Sequence, residues 1–184
     1  MRTLPVTLTL LIASLGALEA EMPVRATGAP VGLDEQTRSI RELLANPPEV
    51  DLSDLKTGLS ERTDRPAIVL MRLADDPLNL ARVRILSIAL LSEYPSPQVK
   101  TYLLSLVSDE SAHPTFRGWA LQSYARGFAE SEPEEVRTVV RPYLSDLEPG
   151  LRARAEMSME YTLASRSPDA HDPMKRMIVL LMQD

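Results

Sequence analysis

The chain has 184 residues, 20 Lys and Arg against 26 Asp and Glu, a formal charge of −6, and no cysteine. Strong nucleic-acid binding shows as a basic surplus, so no nucleic-acid partner is expected, and the missing thiols exclude disulfides, thiolate nucleophiles, zinc–thiolate sites and a cysteine-borne lipid. The length predicts one domain able to bury a core unaided.

Met1-Arg2 gives a short basic start, Leu4 to Leu15 is almost wholly apolar, and Gly16, Ala17 and Ala20 are small. This is the pattern of a secretory signal peptide over residues 1–20, with cleavage after Ala20 and Ala17 as the rival site. The alternative is an uncleaved anchor, but the run from Leu4 to Leu18 stops at Glu19, short of the roughly 20 residues that span a bilayer. Removal takes one base, Arg2, and one acid, Glu19, so the balance stays at −6. The mature chain is expected to be exported, periplasmic or secreted, with no membrane span. Residues 21–33 carry two prolines and two glycines without apolar periodicity and read as a flexible leader.

Residues 34–184 read as one helical-repeat domain. Two weaker helical segments, DEQTRSIRELLAN from Asp34 and DLSDLKTGLSERT from Asp51, form a degenerate cap over residues 34–64. In the remainder, 65–184, four segments align without a gap: PAIVLMRLADD from Pro66, VKTYLLSLVSD from Val99, VRTVVRPYLSD from Val136 and MKRMIVLLMQD from Met174. Their final aspartates, Asp76, Asp109, Asp146 and Asp184, step by 33, 37 and 38 residues, in the range of helical repeats. Val99, Tyr102, Leu103 and Leu106, and then Val136, Val139, Val140 and Tyr143, keep the i, i+3, i+4, i+7 spacing of one apolar helix face.

A preceding helix repeats as well: Val83-Arg84 with Ser87, Phe116-Arg117 with Ala120, Leu151-Arg152 with Ala155. The small residue predicts close approach of a neighbouring helix, and the arginine is placed to reach carbonyls or carboxylates of the next repeat. Prolines 77, 114 and 149 precede the first helices and prolines 66, 97, 133 and 173 lie at or near the start of the second, as suits first helical turns; Ser96 and Asp172 are expected N-caps, and Pro142 should kink or shorten its helix. Trp119, beside Ala120, is expected in the core.

Paired helices of this period, with the apolar-arginine pair and the small residue, resemble HEAT repeats of the armadillo-like superfamily over residues 65–184. The resemblance implies an all-α fold, a short α-solenoid of about four helix pairs, and a non-catalytic scaffold or adaptor that binds another protein through its concave face. HEAT-like stacks usually line that face with their second helices, which places Arg72, Lys100, Arg137, Arg141, Lys175 and Arg176 there as a basic ladder for an acidic peptide or protein patch. The alternative for those cations is a solvated face paired with nearby acids.

The last segment is apolar all round, with Met177, Val179, Leu180 and Met182, and predicts an interface with a second copy or a partner, or a cover from elsewhere in the chain. No residue set commits the chain to catalysis, and an enzyme is the remote alternative. His113 and His171 lie in proline-containing loops outside any H-E-x-x-H spacing, and Asp169, His171 and Asp172 are too cramped for a metal site. No metal and no cofactor is expected.

Overall fold

Five of the helices open on a proline, whose fixed φ and missing N–H suit the first helical turn. The computed structural model describes residues 32–46 and 52–164. The expected signal peptide, the expected leader up to Val31, the segment from Met174 and the candidate residues Lys175, Arg176, Met177, Val179, Leu180 and Met182 lie outside the described residues. The described residues form eight helices and no strand: α1 (Leu33–Ala45), α2 (Leu52–Arg62), α3 (Pro66–Asp75), α4 (Ala81–Leu90), α5 (Pro97–Ser108), α6 (Pro114–Phe128), α7 (Pro133–Val140) and α8 (Pro149–Ala164). The fold is all-α. None of these helices is long and apolar enough to cross a membrane.

The three aspartates of the aligned segments that lie within the described residues do the same work. Asp76, Asp109 and Asp146 each accept, at 2.9 Å, the backbone N–H two residues on, from Leu78, Ser111 and Glu148. These are Asx turns, which reverse the chain without a glycine. The arginine that follows locks the turn: Arg84 Nε donates to the Ala74 carbonyl at 2.8 Å, Arg117 Nε to Val107 at 3.1 Å and Arg152 to Asp146 at 2.8 Å. The first two of those carbonyls are among the unpaired acceptors at a helix C-terminus, where a cation also meets the negative end of the helix dipole. The guanidinium therefore reaches back onto the preceding segment, not forward onto the next repeat as the sequence suggested. Pro142 has the expected effect: α7 stops at Val140 and a 3-10 segment, Arg141–Ser145, carries the chain on to Asp146.

Helices α4, α6 and α8 pack on one another in succession. The residues between them are small: Ser87, Ala120 and Ala155 are fully buried, and a Cβ on Gly118 would lie 3.0 Å from Arg154 Cγ, one on Gly127 3.3 Å from the Ser92 carbonyl. Helices α3, α5 and α7 pack instead on the helix that follows each of them. Polar contacts from a helix to the next of its kind recur at nearly constant separation. Ser123 to Ile88 and Arg126 to Ser92 lie 35 and 34 residues apart, Gln122 to Arg154 and to Met157 lie 32 and 35 apart, and Lys100 reaches Glu132 and Glu135 over 32 and 35. The same offset includes the N-terminal pair, through Arg41 to Asp76 over 35 and Lys56 to Glu93 over 37. Tyr102 to Asp75, over 27, is the short exception. One core runs through all eight helices, from Ile40 and Leu44 to Leu151 and Ala155.

Candidate functional site

Of the four ladder residues within the described chain, three face a carboxylate. Arg72 on α3 meets Asp34 of α1 at 2.6 Å. Lys100 on α5 is held between Glu132, ahead of α7, and Glu135 in its first turn, the latter at 2.8 Å. The two glutamates raise the lysine above its usual range, and Lys100 holds the Glu135 carboxyl below its own. Arg137 pairs with Glu134 and donates to the Thr162 carbonyl at 3.1 Å near the end of α8. Arg141 is exposed at the start of the 3-10 segment. The cations thus span from helix to helix, and Lys100 and Arg137 keep only 23% and 17% of their side-chain surface.

The N-terminal end is different. Between α1 and α3 lies a cleft of about 350 Å³ lined by Asp34, Thr37, Arg38, Arg41, Arg72 and Asp76. Helix α1 supplies Arg38 and Arg41 one turn apart, and α3 supplies Arg72 from the facing side. Arg41 reaches Asp76 at 3.2 Å. Arg38 is exposed and forms no ion pair among the described residues. Arg41 and Arg72 keep 45% and 50% of their side-chain surface, about twice that of Lys100. The cleft therefore holds three guanidiniums and two carboxylates on a chain of net charge −6.

Two further polar concentrations serve the fold. Glu93, after α4, joins Lys56 of α2 to Arg126 of α6, with Arg126 and Glu93 exposing 13% and 14% of their side chains. Burial pushes the Glu93 carboxyl up, but the two cations pull it down further, to below its ordinary 4.5. On α8, Arg154 lies 3.6 Å over the Trp119 ring and donates to buried Gln122; burial pulls its guanidinium down to about 10. Trp119 itself is 2% exposed, within the core as expected. His113 caps α6, its Nδ1 accepting the Thr115 N–H at 3.2 Å, and Ser96 caps α5 through Val99 N–H, also at 3.2 Å. A second, larger opening of about 790 Å³ runs past Pro95, Lys100, Phe128 and Glu132. Among the described residues no group of three His, Asp or Glu side chains is placed to hold a metal ion.

Sequence reasoning reached Arg72 but missed Arg38 and Arg41, because α1 read as a degenerate cap. The signal was present: Asp76 lies one repeat offset from Arg41. Comparison with protein-family models, curated proteins and solved structures gives no match.

Proposed function

We propose that this chain is an exported, non-catalytic binding scaffold, a short HEAT-like α-solenoid that presents an extended helical surface to a protein partner. The observation that supports this most directly is the repetition of one geometry along the chain. Three copies of the aspartate turn, two of them locked by an arginine onto the carbonyl ten residues back and the third by an arginine onto the turn aspartate's own carbonyl, together with cross-helix contacts near a 35-residue offset, fit a stack of translated helix pairs. Such a stack gains surface in proportion to its number of copies. Its charged side chains are used in turn-locking and helix-bridging contacts, which suits a surface that docks a partner more than one that converges on a reacting atom.

The test is site-specific photo-crosslinking of the chain in a cell-envelope preparation, with the crosslinker at Thr101 and Thr138, both exposed on α5 and α7. A single heterologous protein captured saturably at both positions supports the scaffold reading. Capture of the chain by itself alone would replace it with a self-assembling subunit.

A further inference from the structure

We infer that the cleft between α1 and α3 binds carboxylates of an acidic peptide segment, with Arg38 and Arg72 as the principal ligating groups and Arg41 as a fixed wall. The inference deepens the scaffold reading and rests on it for the source of that segment; the cleft's chemistry stands by itself.

Guanidinium is planar, always charged, and matched to carboxylate through paired N–H donors. The cleft already shows that match, because Asp34 sits on Arg72 at 2.6 Å and Asp76 on Arg41 at 3.2 Å. The two aspartates are not equivalent. Asp76 is anchored by its Asx turn to the Leu78 N–H, so Arg41 stays paired. Asp34 is 82% exposed in the first turn of α1, and an exposed pair of this kind is weak and readily exchanged. An incoming carboxylate can take its place on Arg72 while a second takes Arg38, whose charge no carboxylate among the described residues meets. Arg38 and Arg72 stand on facing helices, so they offer two separate places for successive acidic side chains. The cleft volume of about 350 Å³ suits side-chain ends entering from solvent. The contrast with α5 and α7 supports the location: there Lys100 is held by two glutamates at once, and an acidic ligand would meet local negative charge.

The test uses the chain with a fluorescein-labelled hexaglutamate peptide, binding being read by anisotropy and located by amide chemical shifts. Arg38→Gln with Arg72→Gln should weaken binding at least about tenfold, the loss of one good charge-assisted contact. Asp34→Asn, which removes the competing carboxylate, should tighten it by about threefold, within the range of an exposed pair. Lys100→Gln should leave it unchanged. All of these side chains are largely exposed or lie at the surface, and circular dichroism confirms that each variant stays folded. The inference is overturned if Asp34→Asn fails to tighten binding, if the shifted amides lie away from α1 and α3, or if inorganic phosphate binds the same residues as tightly as the peptide. A crosslinked partner retained equally by Arg38→Gln/Arg72→Gln would overturn the cleft as its docking site and leave the scaffold reading intact. Hexaglutamate binding at the cleft without any crosslinked partner would sink the scaffold reading and leave the carboxylate site standing.

Discussion

The two sets of helices are joined by different physics. Helices α4, α6 and α8 touch through small and buried residues, with Trp119, Ala120 and Ser123 shut away from water and a nearly enclosed Arg126–Glu93 pair between successive members. Helix α1 is bridged to α3, and α5 to α7, by charged side chains, which keep between 23% and 82% of their surface. Burial contributes far more per contact than an exposed ion pair. Stability should therefore reside in the first set, leaving the charges of the second free to vary with what they bind.

The largest effect should come from Trp119→Ala, which empties the centre of α6 and removes the surface under Arg154; a loss of about 3–5 kcal/mol by urea denaturation is expected. Glu93→Gln comes next. It leaves Arg126 nearly enclosed without its carboxylate, at a cost of about 2 kcal/mol near neutral pH once partial exposure is discounted. Because the folded Glu93 carboxyl lies below its ordinary 4.5, its contribution is complete above that value and fades as pH falls through the folded value. The parent and Glu93→Gln curves should converge on acidification, and a gap that persists in acid would show that packing, not charge, had been lost.

Arg117→Met tests the turn lock and should cost about 1–2 kcal/mol, as expected for a charged donor removed from a carbonyl, with Arg84→Met close to it. A cost confined to one of the two would break their equivalence. The smallest effect belongs to the bridged set. Lys100→Met should cost at most about 1 kcal/mol, and Arg38→Gln less than about 0.5 kcal/mol. A Lys100→Met loss as large as that of Glu93→Gln would erase the contrast between the two sets.

Much of the fold was legible because the repeat is written in residues with fixed tasks. The aspartates recur, the first two followed by an arginine at the same spacing and the third by one two residues nearer, small residues lie three beyond each arginine, five helices open on proline, and Pro142 marked where α7 stops. What periodicity could not supply was direction. It shows that an arginine recurs, but a guanidinium on a long side chain reaches either neighbour, and only the fold of the turn selects the preceding segment. The ladder suffered a related loss. Arg72, Lys100 and Arg137 were visible as recurring cations, whereas the acids that hold them, Asp34, Glu132, Glu134 and Glu135, all lie outside the aligned segments, in α1 and at the start of α7. Searching each cation for acids one repeat away finds Glu132 and Glu135 for Lys100 and Asp76 for Arg41, and would have drawn attention to α1.

The backward reach of the arginines has a consequence for how such a chain can change over generations. Between Asp76 and Asp109 lies a complete interval, so deleting residues 77–109 would set Arg117 at the position Arg84 occupied, with Ala74 as its acceptor and Asp76 still closing the turn. Loss or duplication of one interval leaves every reversal of the chain intact. The number of such turns could thus change while the local design of each stays the same.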